Sequence, residues 1–178
     1  MTGEALTIDL SEFVNYLYVI LLELAVSPDL EDIPSIPGSG RPAGNETPSK
    51  SQSKSLADLL FRTLSLVFHP RTSSSNTPPW TMAAFAKRLL LSSLSWPPNT
   101  VLRSLELVRS LMVKEPRLEA FLNTEDRTAN GVYRAELDDP QLSNPFGTSF
   151  WELRMLQKYH WDDKVRKEAS ALANFSGD

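Results

Sequence analysis

The chain has 178 residues, 41% of them hydrophobic, a formal net charge of -4 and no cysteine. That length supports a domain with a real core, and the absence of thiols excludes a disulfide framework, thiolate zinc sites and a cysteine nucleophile. A net negative charge argues against a free-standing polyanion binder.

The N-terminal stretch is acidic and lacks the basic start of a secretory signal. Glu4, Asp9, Glu12, Glu23, Asp29, Glu31 and Asp32 give residues 1–32 a charge of -7 with no base. Asp9 followed by Glu12 has a capping-box-like spacing. Phe13, Leu17, Ile20, Leu21 and Leu24 then recur with helical period. Tyr16, Val19 and Leu22 widen that face, so the first helix is expected to be buried on several sides. The longest apolar run, Phe13 to Val26, contains Asn15 and Glu23 and is too short to span a bilayer, so no membrane contact is expected.

Ser27-Pro28 ends this helix. Residues 28–54 read as a flexible linker rich in Pro, Gly and Ser, a composition that cannot offset its own ordering entropy. The second helix is expected from Leu56 to Phe68, stopped by His69-Pro70. Thr77 and Pro78 look like an N-cap and first helical residue for the third helix. That helix places Phe85, Leu89, Leu90 and Leu94 on one side and Lys87 and Arg88 on the other. Trp96-Pro97-Pro98 makes a corner, and a fourth helix follows from Pro98 to Lys114. Residues 117–122 add a turn or two after Glu115-Pro116.

The stretch from Thr124 to Trp151 breaks this pattern. Asn130-Gly131, Asp139-Pro140 and Asn144-Pro145 are turn or chain-break signals. Tyr133, Phe146, Phe150 and Trp151 supply the apolar anchors that disordered segments lack. The stretch reads as a long ordered loop pinned to neighbouring helices. Ser149 with Glu152 suggests a capping box for a short helix ending near Tyr159. Asp162 or Asp163 suggests a cap for the last helix. The tail DDKVRKEASAL has the order of acid, Val-Arg, Ala and Leu seen in the second helix of HEAT repeats. No alternation of period two survives, so the fold class is all-α: a HEAT-like helical repeat (α-solenoid) fragment with a long ordered loop.

Three stretches carry a family resemblance: FAKRLLLSSLSWPPNTVLRSLELVRSLM at 85–112, NTEDRTANGVYRAELDDPQLSNPFGTSFWEL at 123–153, and KVRKEASAL at 164–172. Together they resemble the CCAAT-binding-factor domain of the nucleolar-complex proteins. The chain then divides into three parts: residues 1–27 as an N-terminal helix packing on the domain, 28–54 as the linker, and 55–178, which the resemblance makes a CCAAT-binding-factor-type helical domain. It also implies a helical scaffold in large ribosomal subunit assembly, in the nucleus and nucleolus. The implied partners are nucleolar complex protein two and the pre-ribosomal particle. Family members of this type are also linked to initiation of DNA replication. They are longer than this chain and carry Lys-rich regions absent from it.

No G-x-S-x-G, P-loop or H-E-x-x-H motif accompanies His69 or His160, so no catalysis and no cofactor is expected. Glu125, Asp126, Glu136, Asp138 and Asp139 lack calcium-loop spacing and read as turn and cap residues, with no metal expected. Gly131 is expected at positive φ. The candidates for a structural clasp or an interface are Asn130, Gly131, Tyr133, Asp138, Asp139, Pro140, Asn144, Pro145, Phe146, Trp151 and Trp161. Lys87, Arg88, Arg127 and Arg134 are the candidate nucleic-acid contacts, set against internal ion pairing. Weak or no direct nucleic-acid binding is expected, with direct recognition of RNA or origin DNA as the alternative.

Overall fold

The structure is a computed structural model that describes residues 11–33, 54–68, 77–122 and 131–176. Every regular element among these residues is helical. They are α1 (Ser11–Leu24), α2 (Leu56–Phe68), α3 (Pro79–Ser93), α4 (Pro98–Lys114), a 3-10 helix at Pro116–Phe121, a short 3-10 turn at Pro145–Gly147, α5 (Trp151–Tyr159) and α6 (Asp163–Ala173). The expected bounds of α2 and α4 match those observed.

The core forms around α3. Residues 81–90 are buried without interruption, because small Ala83, Ala84 and Ala86 let neighbours approach while Phe85, Leu89 and Leu90 fill the space between. The α3–α4 hairpin turns at Trp96-Pro97, and the α5–α6 hairpin turns at His160–Asp162. The second hairpin stacks on the first through α6 against α4, while α1 lies on α3. This stacking of helical pairs is the helical-repeat architecture that the sequence led us to expect.

Helix ends show how distant segments complete one another. Helix α3 begins at Pro79, with Pro78 rather than Thr77 in the cap position and no side-chain cap. Two prolines lack N–H groups, so fewer donors need a partner there. Helix α4 also lacks a cap of its own. Glu31 supplies one from a distance: its Oε1 accepts from Thr100 N at 2.8 Å and from Thr100 Oγ1 at 2.6 Å. A carboxylate is favoured at a helix N-terminus by the dipole and by the unpaired amides. Ser55 and Asp58 form a reciprocal box at the start of α2, with Asp58 N donating to Ser55 Oγ and Ser55 N to Asp58 Oδ2.

Residues 28–33 were expected to begin a flexible linker. Within them Leu30 is fully buried and its carbonyl accepts from Ala57 N at 2.9 Å, while Pro28, Asp29, Asp32 and Ile33 are exposed. The rest of that stretch, 34–53, lies outside the described residues, as do Asp9, His69, Glu125 and Asp126.

Helix α1 also departs from expectation. Leu17, Tyr18 and Leu21 are buried, but Phe13, Tyr16 and Ile20 stay exposed. The reason lies in α3, which covers one face of α1 and holds it largely by its backbone. Arg88 Nη1 donates to Tyr18 O at 3.1 Å, Ser92 Oγ to Leu21 O at 2.8 Å and Trp96 Nε1 to Leu24 O at 2.9 Å. Donors spaced four residues apart thus meet carbonyls spaced three apart. Two of those carbonyls, Leu21 O and Leu24 O, belong to the last turn of α1, beyond the regular helical ladder, and Leu24 O also accepts from Ser27 N at 3.2 Å.

Candidate functional site

The loop before α5 is compact because its turns use the residues such turns need. Gly131 has φ 113° and Asn144 has φ 48°, the left-handed region that Gly and Asn tolerate best. A Cβ on Gly131 would stand 2.8 Å from Asn144 Nδ2, and one on Gly147 would stand 2.8 Å from Gly131 O. The loop's two ends therefore cross at a place with no room for side chains. At the tip, Asp139 Oδ1 accepts from Gln141 N at 2.8 Å, the turn expected of Asp139-Pro140. Pro140 is buried, and Arg134 N donates to Ser143 O at 2.9 Å across the loop.

Aromatic stacking fixes the loop's exit. The Phe121 ring stacks on Phe150 at 4.4 Å and on Phe146 at 5.2 Å between centroids. Phe150 N also donates to Phe121 O at 3.0 Å. The 3-10 helix and the loop end are thus joined by both side chain and backbone.

Two neighbouring cations of α3 clamp the loop from beneath. Lys87 Nζ pairs with Glu152 Oε2 at 2.7 Å, both side chains inaccessible to solvent, and also donates to Ser149 O. The Tyr133 and Trp151 rings lie 5.5 Å and 5.2 Å from the same nitrogen. Arg88 Nη2 donates to Ala135 O at 2.8 Å and to Leu137 O, and its guanidinium sits 3.5 Å from the centre of the Tyr18 ring. One guanidinium therefore ties α1, α3 and the loop together. The carboxylate of Asp138 approaches Arg88 to 3.8 Å from an exposed position.

This geometry corrects the reading of Lys87 and Arg88 as surface contacts for nucleic acid. Both are fully buried, so neither can reach a phosphate. Their burial was legible in part: they are the only charges between Thr81 and Leu94, in a helix otherwise apolar or small on every side. The capping box expected of Ser149 and Glu152 is also absent. Phe150 occupies the cap position of α5 without a side-chain bond, because the Ser149 carbonyl and the Glu152 carboxylate both face Lys87. By contrast, Asp162 caps α6, accepting from Lys164 N at 2.8 Å and Val165 N at 3.1 Å.

The buried charges sit in tension. Burial pushes the Glu152 carboxyl above its ordinary range, against the opposing pull of Lys87. Burial also raises the Tyr133 phenol, with Tyr18 adding to the effect and Arg88 opposing it. Glu152 Oε1 and Arg88 Nε have no hydrogen-bond partner among the described residues. A cluster so constituted fixes geometry more than it adds stability, since desolvation offsets most of the Coulomb gain.

The remaining candidates separate. Gly131, Tyr133, Asp138, Asp139, Pro140, Asn144, Pro145 and Phe146 all belong to the loop that the clasp holds. Arg134 is exposed and pairs with Glu136 at 2.9 Å. Trp151 is half-exposed and Trp161 projects into solvent, 77% exposed. Asn130 and Arg127 lie outside the described residues. Tyr18 and Ser92, which bind α1 into the same cluster, were not singled out by sequence, whereas Trp96 was read only as a corner. The signal for Ser92 was its four-residue spacing between Arg88 and Trp96.

A family model described as "CBF/Mak21 family" matches residues 1–169. The chain belongs to the CBF/Mak21 family. The resemblance carried by residues 85–112, 123–153 and 164–172, which points most closely to nucleolar complex protein three in a fungal-like form, therefore stands. Among the proteins the chain is similar to is "Nucleolar complex-associated protein 3" of Saccharomyces cerevisiae, 31% identical over 170 residues, or 95% of this chain and 25% of the relative. The protein of the same name in Schizosaccharomyces pombe is 26% identical over 167 residues, covering 94% of this chain and 22% of its own length. "Nucleolar complex protein 3 homolog" of Danio rerio is 39% identical over 89 residues, half of this chain and 11% of that protein. The chain thus spans about a quarter of the length of the yeast relatives it matches.

Proposed function

We propose that this chain is a non-enzymatic scaffold segment of a nucleolar complex that acts in large ribosomal subunit assembly. Residence in the nucleus and nucleolus follows from the names its yeast relatives carry. The observation that carries the scaffold reading is the clasp. Lys87, Arg88 and Glu152 are committed to holding α1, α3, α5 and the loop in one rigid frame. A rigid frame with aromatic side chains projecting from its corners is a surface suited to protein partners. The partner proposed is nucleolar complex protein two, within a pre-ribosomal particle. A contribution to initiation of DNA replication would use the same surface through other partners.

Burial of Lys87 and Arg88 weakens the nucleic-acid alternative, since affinity for RNA or DNA scales with the phosphates neutralised. The test is a pair of titrations at about 150 mM salt, where weak phosphate contacts are screened. One uses purified nucleolar complex protein two and the other structured RNA and duplex DNA. Saturable binding to the protein, with nucleic-acid binding seen only at low salt, is expected. Submicromolar binding that depends on base sequence, with no protein binding, overturns the scaffold reading.

A further inference from the structure

Helices α1 and α5 each keep an apolar stripe in solvent, as α2 does at Leu56, Leu59 and Leu66, and the stripes of α1 and α5 carry opposite charge. On α1, Phe13, Tyr16 and Ile20 are 49%, 69% and 41% exposed. The helical period puts Glu12 and Glu23, both exposed, on the edge of that stripe. Helix α1 contains no base. On α5, Trp151, Met155 and Tyr159 recur every four residues and are 42%, 42% and 65% exposed. Arg154 and Lys158, both exposed, share their arc. The only acid of α5, Glu152, points inward at Lys87.

Helix polarity favours Glu12, in the first turn of α1, and Lys158, in the last turn of α5, but it does not account for Glu23 or Arg154. Glu23 falls in the last turn of α1, where the dipole disfavours a carboxylate. The aromatic corner beyond α5 is held in place: Arg166 Nη1 donates to His160 O at 2.7 Å and to Trp161 O at 3.0 Å, while the Trp161 ring stacks on His160. A large side chain kept in one place in solvent loses little freedom when it docks. The stripes also match in length, eight residues from Phe13 to Ile20 and nine from Trp151 to Tyr159, each roughly 10–12 Å of helix.

The geometry points to head-to-tail self-association, in which the acid-rimmed α1 face of one molecule docks on the base-rimmed α5 face of a second copy. Both helices pack on α3 within one body, so the two faces of a single molecule do not meet. Each molecule in a pair keeps one unused face of each kind, so the contact is heterologous and extends with concentration. One helix face on each side is a small interface, and the association is correspondingly weak.

Analytical ultracentrifugation of the 178-residue chain across about 5–500 µM tests this, the range expected for a contact of that size. The average mass is expected to rise with concentration and to fall back as salt increases from about 50 to 500 mM, which shortens the screening length. Arg154→Glu with Lys158→Glu, and separately Glu12→Lys with Glu23→Lys, should each weaken association at least roughly tenfold by setting like charges opposite each other. Mixing the two variants should restore it, because each reversed face then meets its complement. Should the α1 reversal disturb folding, Tyr16→Ser and Trp161→Ala test the same two faces without charge change, and each should weaken association with the melting temperature unchanged. A chain that stays monomeric throughout, or an association that neither reversal weakens or that mixing fails to restore, overturns the proposal.

Discussion

Lys87 Nζ and Glu152 Oε2 stand 2.7 Å apart with neither side chain open to solvent. Removing one partner leaves the other charged and buried without its counter-ion. Glu152→Leu alone, or Lys87→Met alone, should therefore destabilise the fold by about 3–5 kcal/mol. The double variant should recover most of that loss, because two apolar side chains of similar size need no counter-ion. Urea denaturation of the four proteins measures the cycle. A double variant whose loss equals the sum of the two single losses would show that the pair is not coupled.

Glu152 also gives the fold a pH signature. Its carboxyl is raised in the folded state by burial, so folding takes up a proton between the ordinary carboxylate value and the folded one. The sign follows from linkage: this contribution is fully present below the unfolded pKa and is lost as pH rises through the folded pKa. Wild-type stability minus that of Glu152→Gln should therefore decline with rising pH across that window and then level off. Asp58, held low first by its bond to Arg103, works the other way, but it is present in both proteins and cancels. A difference that is flat with pH contradicts a raised Glu152.

Gly131→Ala should destabilise the loop. Its φ of 113° is unfavourable for any L side chain, and the new Cβ would stand 2.8 Å from Asn144 Nδ2. A loss on the order of 1–3 kcal/mol is expected, read as a lower melting temperature and faster hydrogen exchange at Arg134 N, which donates across the loop to Ser143 O. Unchanged exchange there would mean that the crossing at Gly131 is not what closes the loop.

Glu31→Ala should cost about 0.5–2 kcal/mol, the usual price of a lost helix cap. The affected residues are distinctive, because Glu31 caps α4 from outside it through Thr100 N and Oγ1. Thr100→Val should remove part of the same interaction, so the two changes together should cost less than their sum. Additive losses would indicate that Glu31 acts elsewhere.

The helix frame was readable because period and punctuation agree: proline corners and apolar rows place α2 and α4 at their observed bounds. Asp162 was readable as a cap because its partners are its own neighbours. The misreadings share another cause. Lys87 and Glu152 are 65 residues apart, and each looks like a surface residue until the other is found. Ser149 and Glu152 fit a local capping pattern, but Lys87 of another helix takes the Glu152 carboxylate, and Phe150 occupies the cap position. Leu30 looked like linker because composition is averaged over a window, whereas its burial is set by one place in the fold, where its carbonyl meets Ala57 N of α2. Trp151 illustrates the limit for packing: its neighbours Phe146 and Phe150 suggested a buried ring, yet it remains 42% exposed, so its truncation should cost less than the roughly 3–5 kcal/mol of a buried tryptophan.

The grip of α3 on α1 through Tyr18 O, Leu21 O and Leu24 O uses groups that every amino acid possesses. What α3 holds is a shape of main chain, with three inward side chains as the only strict tenants. The outward surface of α1 is thereby released from the duty of keeping the helix in place. It can be rewritten residue by residue, as a label is changed on a fixed handle, and a new surface chemistry can be displayed without rebuilding the joint beneath it.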